Sequence, residues 1–257
     1  MRLALLSDIH ANLHAFEACL AHAEAHGAER IAILGDSVGY GPAPAAVVAR
    51  LVQLAAQGAF VLQGNHDLAA VQPPAEPMPG ASPPPTAESL SAAWTRQQLD
   101  PAARAFLAAL PLTARAGACL LVHASADAPE RWHYVTDERS ANASLDAACT
   151  DPEVRYVFGG HVHHQRLFYR GASHGLMRFD PRPGVPIPVP THRRWLATVG
   201  SVGQPRDGDP RAMYALFDAT TAQLCFHRVA YDHLAVAAAV RAAGQPEFFA
   251  SRLEQGQ

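Results

Sequence analysis

"RLALLSD", residues 2–8, sets four consecutive apolar residues between Arg2 and the polar pair Ser7-Asp8. The same shape returns as "RIAILGD" at 30–36, "AFVLQGN" at 59–65, "ACLLVH" at 118–123 and "RYVFGGH" at 155–161. Runs this short, without apolar–polar alternation and closed by turn or polar residues, read as strands buried on both faces. Between them lie helical patterns. Over 14–26, Phe16, Cys19, Leu20 and Ala23 share one face and Gly27 supplies a stop. "PAAVVARLVQLAAQG" at 44–58 repeats the arrangement and ends at Gly58. Strand, helix, strand, repeated, is the signature of a sheet covered by helices, so the fold class is α/β.

Further along, "QPPAEPMPGASPPP" at 72–85 holds too much proline for helix or strand and reads as a loop, followed by a helix over about 86–109. A second proline-rich stretch, 181–190, precedes three strand-like runs: "RRWLATVGSVG" (193–203), "AMYALFDA" (212–219) and "QLCFHRVAYD" (223–232). The last two form an antiparallel hairpin around Thr220-Thr221. No internal repeat is present, and neither proline-rich stretch divides the chain, so residues 1–257 are expected to form one domain.

Composition narrows the class. With 49% hydrophobic residues in 257, a sizeable core is available. All 20 basic residues are arginines, the formal net charge is −3, and no basic run marks a nucleic-acid-binding surface. The opening "MRLALLSDIHAN" is too short in its apolar part for a signal segment or a membrane span, which leads to the expectation of a cytoplasmic protein with no membrane contact. Cys19, Cys119, Cys149 and Cys225 make no CxxC pair and read as reduced thiols.

The strand ends carry the chemistry. Asp8 and His10 follow the first strand, Asp36 the second, Asn65 and His66 the third, His123 the fourth, His161 and His163 the fifth. In α/β sheets ligands bind beyond strand C-termini, so five strands deliver Asp, Asn or His to one edge. The i, i+2 spacing of Asp8/His10 and His161/His163 is expected to send each pair to one side of an extended backbone. Gly35, Gly64 and Gly160 precede ligands and suit a close backbone approach. Carboxylate, imidazole and amide oxygen together suit Mn²⁺, Fe²⁺/Fe³⁺, Zn²⁺ or Ni²⁺, with Mn²⁺ the first expectation. Taken one at a time, each of these residues also has a plain reading as a turn residue, a cap or a solvated histidine. His14, His22 and His26 fall on a helix's polar side, and His174, His192, His227 and His233 match no motif; none of these is expected to have a functional role.

"SDIHAN", "LGDSVGYG", "QGNHD", "LVHAS" and "GGHVHH", in that order, resemble the calcineurin-like metallophosphoesterases, whose pattern is DxH, GD, GNH[DE], H and GHxH. The later "VGSVGQPRDGDPRAMYALFD" is similar to the C-terminal part of a small bacterial branch, the YfcE-type phosphoesterases. The resemblance implies a four-layer αββα sandwich of two mixed β-sheets flanked by helices. It implies that Asp8, His10 and His163 hold one metal, that Asn65, His123 and His161 hold another, and that Asp36 bridges them. It makes His66 the general acid, with Asp67 orienting its imidazole. His164 and Gln165 stand where related sequences often carry an apolar residue and proline.

The chemistry so implied is hydrolysis of a phosphoester. Two divalent or trivalent metals about 3.5–4 Å apart acidify a bridging water to hydroxide, neutralise phosphoryl charge and hold the substrate for in-line attack. A phosphodiesterase acting on a small or nucleotide-like substrate is the first expectation, with a phosphomonoesterase or dinucleoside polyphosphate hydrolase as alternative. A non-catalytic interaction scaffold of the same fold is the rival from another class; the filled ligand set and His66 speak against it. Asn12 and Tyr40, just after ligand-bearing turns, and Ser201 and Arg206 in "GSVGQPR" are candidate substrate contacts. Helix capping competes for Asn12, and a glycine-rich turn for the segment holding Ser201.

Overall fold

The structure, a computed structural model, describes residues 1–72, 84–171 and 175–257. In chain order the elements are β1 (Arg2–Leu6), α1 (Leu13–Ala25), β2 (Arg30–Ile33), α2 (Pro44–Ala56), β3 (Phe60–Val61), α3 (Asn65–Val71), α4 (Ala87–Gln98) and α5 (Pro101–Ala108). Then come β4 (Thr113–Ala116), β5 (Cys119–Val122), α6 (Glu138–Ala148), β6 (Tyr156–Gly159), β7 (Gln165–Arg170) and β8 (Leu176–Phe179). The chain closes with β9 (Ile187–Pro188), β10 (Arg194–Val199), β11 (Ala212–Asp218), β12 (Gln223–Val229), α7 (His233–Ala242) and α8 (Glu247–Gln255).

Among the described residues the strands form two six-stranded mixed sheets, ordered β3-β2-β1-β11-β12-β9 and β4-β5-β6-β10-β7-β8. In the first, β1, β2 and β3 run parallel and β11 joins β1 antiparallel; in the second, β5, β6 and β10 run parallel and β7 joins β10 antiparallel. Side-chain alternation explains the layering. Leu3 and Leu5 of β1 enter a core shared with Leu121, Phe158, Leu167 and Ala197 of the second sheet, while Ala4 and Leu6 meet Phe16, Cys19, Val47 and Leu51 of α1 and α2. On the far side, Ala141, Leu145 and Ala148 of α6 cover Val122, Val157, Phe168 and Leu196. The result is the four-layer αββα sandwich that the resemblance implied.

Two expectations need correction, and one strand is added to them. The helix over 86–109 is two helices, because Leu99 is extended, Asp100 caps the second through Ala103 N–H (2.7 Å) and Pro101 opens it. Within the second proline-rich stretch, Ile187–Pro188 makes a short edge strand on β12, where proline's missing N–H is tolerated. The third strand is only Phe60–Val61, after which the backbone turns toward the site. The hairpin around Thr220-Thr221 is present, with Asp218 paired to Gln223. Of the loop 72–85, residues 73–83 lie outside the described residues.

Candidate metal centre

The turns after β1, β2, β3, β5 and β6 meet at one edge of the sandwich. Asp8 N–H donates to Gly35 O (3.0 Å), His10 N–H to Asp36 O (3.0 Å) and Ala11 N–H to Ser37 O (2.9 Å), lacing the first two turns together. Asp8 also joins the two sheets, since its Oδ2 accepts from His161 N–H at 2.8 Å. Gly160 has to be glycine here, because a Cβ would run into Ser7 Oγ and Asp8 Oδ2. At Gly35, with φ +99°, a Cβ would stand 2.7 Å from His123 Nδ1.

The paired ligands do share a direction, but not through extended backbone. Asp8 (φ 54°), His10 (48°), Asp36 (52°), His161 (67°) and His163 (56°) are all left-handed, as are Ala11 (52°) and Tyr40 (65°). Non-glycine residues there are held against roughly 1–3 kcal/mol of strain each, and such residues cluster where a site dictates side-chain direction.

Two clusters result, each with its ligating atoms within 4.8 Å of one another: Asp8, His10 and His163, and Asp36, His123 and His161. All six residues are buried. In the first, His10 Nε2 lies 3.2 Å from His163 Nε2, and His163 Nε2 lies 3.1 Å from Asp8 Oδ1. His10 Nδ1 donates to Val38 O (3.2 Å) and His163 Nδ1 to Gln204 O (2.6 Å), so that in the neutral form either ring points an Nε2 lone pair inward. In the second, His123 Nδ1 donates to Leu34 O (2.8 Å), and its Nε2 faces Asp36 Oδ2 at 3.3 Å and Asn65 Oδ1 at 3.2 Å. The backbone carbonyls behind these rings are what fixes a ligating imidazole's tautomer.

These are acceptors facing acceptors. One proton per cluster would serve a single contact, and the charges show the strain of that arrangement. Burial opposes a charge on His123, yet the Asp36 and Asp8 carboxylates push it up to about 9. Burial would raise Asp8, but His163 holds it well below the carboxylate range, while His10 is driven down by burial and by His163. Even so, Asp8 Oδ1 and His161 Nε2 remain buried without a hydrogen-bond partner among the described residues. Cations satisfy every one of these atoms at once, so the donor set fits a pair of transition-metal ions.

The neighbours divide differently from the sequence expectation. His66 N–H donates to Asp36 Oδ1 (2.8 Å), and the His66 ring contacts Tyr40 Oη through Nε2 (2.7 Å). Asp67 does not orient that ring: its carboxylate accepts from the backbone N–H of Ser37 (2.9 Å), Val38 (3.1 Å) and Gly64 (2.9 Å), fixing the turns that carry Asp36 and Asn65. Burial and the Asp36 carboxylate push Asp67 up to about 7 against those amides. Asn12 and Ser201 are structural. Asn12 caps α1 through Ala15 N–H (3.0 Å) and donates to Gly203 O (3.0 Å), while Ser201 Oγ donates to Asp8 O (2.8 Å). Arg206 is half-buried and donates to Gln204 Oε1 (2.8 Å).

A family model described as the calcineurin-like phosphoesterase superfamily domain matches residues 1–222. The chain belongs to that superfamily. Its fold is similar to that of a crystal structure of a metallophosphoesterase from Sphaerobacter thermophilus, 34% identical, covering 100% of this chain and 99% of the other with a TM-score of 0.84. A Pyrococcus horikoshii protein of 20% identity, covering 100% and 98% with a TM-score of 0.75, shares the fold. An uncharacterised protein of Methanocaldococcus jannaschii is 28% identical over 90% of this chain and 88% of its own length. Superfamily membership and the Asp/His clusters support a metal-dependent hydrolase.

Two aromatic residues beside this phosphoesterase-superfamily site escaped the sequence reading. Tyr134, 58% exposed, stacks on His161 at 4.0 Å between ring centroids, and Trp132 meets His123 edge-on at 5.7 Å. Their signal was "RWHY" at 131–134, an aromatic group in an otherwise polar connection after the His123 motif. His164 stands outside both clusters, with Nδ1 donating to Val162 O (2.8 Å). Gln165 Nε2 lies within hydrogen-bonding reach of Val199 O (3.3 Å), Tyr214 O (3.1 Å) and His227 O (3.2 Å), linking strands of both sheets.

Proposed function

We propose that the chain is a metal-dependent phosphodiesterase acting on small or nucleotide-like phosphoesters, with residues 1–257 working as one domain in the cytoplasm. The observation that carries this reading is the pair of buried clusters in which more carboxylate, imidazole and amide acceptors converge than there are protons to share. Asp8, His10 and His163 would hold one ion, Asn65, His123 and His161 the other, and Asp36 both. Mn²⁺ is the ion proposed, with Fe, Zn and Ni chemically compatible. When bound, such a pair supplies Lewis acidity to the phosphoryl oxygens and activates water for in-line attack.

The chain's own residues do the rest. Asp67 and the laced turns keep the ligating groups in place before substrate arrives. His66 is the proposed proton donor to the leaving oxygen, with Tyr40 holding its ring. Burial holds the His66 pKa below the usual imidazole range, and an anionic phosphoryl group beside the ring would favour its protonated form. Arg206, beside Tyr40, is the proposed contact for a substrate's non-reacting oxygens. Among the described residues no helix is long and apolar enough to cross a membrane.

The test is hydrolysis of bis(p-nitrophenyl) phosphate and p-nitrophenyl phosphate before and after chelation. Activity should vanish on chelation, return with Mn²⁺, and favour the diester. A preference for the monoester would replace the diesterase reading, and undiminished rates in metal-free protein would remove the metal mechanism.

A further inference from the structure

A third histidine cluster stands apart from the centre described above. His22 and His26 lie one turn apart at the C-terminal end of α1, and His227 faces them from β12; their ligating atoms lie within 4.8 Å of one another. Ring centroids are 4.0 Å apart for His22–His26, 5.1 Å for His22–His227 and 5.2 Å for His26–His227. Asn12, at the metal-centre end of α1, is ten residues from His22, so the two places are separated by about 15 Å of helix.

The hydrogen bonds prepare these rings as ligands. His26 Nδ1 donates to the His22 carbonyl (2.7 Å), which leaves the Nε2 lone pair free in the neutral ring. His22 Nδ1 pairs with Tyr214 Oη (2.7 Å), and in the tautomer whose Nδ1–H donates to that oxygen its Nε2 is left free likewise. A carbonyl or hydroxyl behind each ring is the support that metal-bound imidazoles show. His227 is only 8% exposed, stacks on Tyr214, and its Nε2 is buried with no hydrogen-bond partner among the described residues. Packing alone explains the stacked rings but leaves that nitrogen unsatisfied. Burial lowers the pKa of His22 and, together with His22 and His26, pushes His227 down to about 4. His22 and His227 are therefore held in the neutral form that ligates. The negative end of α1's dipole favours a cation at this position, and a solvent-open cavity of about 540 Å³ lined by all three rings gives it access.

We propose that His22, His26 and His227 form a further transition-metal site, taking one Zn²⁺-class ion on three imidazole nitrogens with its remaining position open to the cavity. Three imidazoles suit Zn²⁺, Co²⁺, Ni²⁺ or Cu²⁺ and exclude Ca²⁺ and Mg²⁺ as preferred occupants. Such an ion would clamp the end of α1 to β12.

The experiment titrates chelator-stripped protein with Zn²⁺ by calorimetry and counts bound ions by elemental analysis. Wild type should bind one ion per chain more than His26→Ala, whose exposed side chain can be removed without opening the core, or the affinity of that ion should fall roughly 100-fold. His26→Gln should show the same deficit, and both variants should keep Mn²⁺-restored hydrolysis. In an Asp36→Asn, His161→Ala background the extra ion should persist although hydrolysis is gone, which separates this site from the proposed dinuclear centre. Equal stoichiometry and affinity in wild type and both His26 variants would overturn the proposal, as would disappearance of the ion in the Asp36→Asn, His161→Ala protein.

Discussion

Asp36 is the residue on which the two clusters depend together. Its Oδ1 takes the His66 N–H and its Oδ2 faces His123, and its burial means that no water substitutes for either contact. Changing Asp36 to Asn removes a charge from both proposed ions, whereas changing Asn65 to Ala removes one neutral oxygen from one of them. We expect the first to lower kcat/KM by more than the second, by about tenfold or more, with comparable folding by circular dichroism; small and equal losses would reduce Asp36 to a turn residue. His66 belongs to the same turn but has a different task. Replacing it by Gln should leave metal content unchanged and slow alkyl or nucleoside leaving groups roughly 10²–10⁴-fold, while nitrophenolate, which departs without a proton, is slowed little. Uniform slowing across the leaving-group series, or loss of an ion, would show that His66 positions or ligates instead. At this scale the sequence showed which residues gather at the edge, because each follows a strand. It did not reveal that Tyr40 rather than Asp67 holds His66, since that contact depends on how two turns 26 residues apart fold against each other.

The elements bring these residues together through turns rather than through strand geometry. Asp8/His10 and His161/His163 were legible as pairs, but the left-handed φ values that aim them are imposed by the lacing of neighbouring turns, which periodicity does not encode. The break between α4 and α5, by contrast, was written in Asp100-Pro101, a cap followed by a first-turn proline. Gln165 shows an element-scale device with no local signature. Its amide reaches carbonyls of β10, β11 and β12, so Gln165→Ala leaves three half-buried or buried acceptors without that donor. The expected loss is about 1–3 kcal/mol, read as a lower denaturation midpoint with unchanged metal content. No change in the midpoint would mean that solvent replaces the amide, and loss of metal would mean that Gln165 supports the site.

At the scale of the whole molecule, two sheets share one core and present the ends of their parallel strands at one edge. The parallel strands β1, β2, β5 and β6 were readable because burial on both faces gives continuous apolar runs. β4, β7, β8 and β9 were not, being half-exposed or edge strands whose side chains answer to a neighbouring strand more than to a core. The His22/His26/His227 cluster was hidden for a related reason: His22 and His26 read as a polar helix face until β12 was packed beside it. What the shared edge brings together is a pair of Asp/His clusters whose atoms could hold metal ions. The direct measurement is the hydrolysis rate of a chromogenic diester against Mn²⁺ bound per chain, made on the His26→Ala protein so that only the shared edge is counted. The rate should stay low through the first bound ion and rise with the second, levelling at two per chain; full activity with no ion bound, or saturation at one, would contradict the two-metal account.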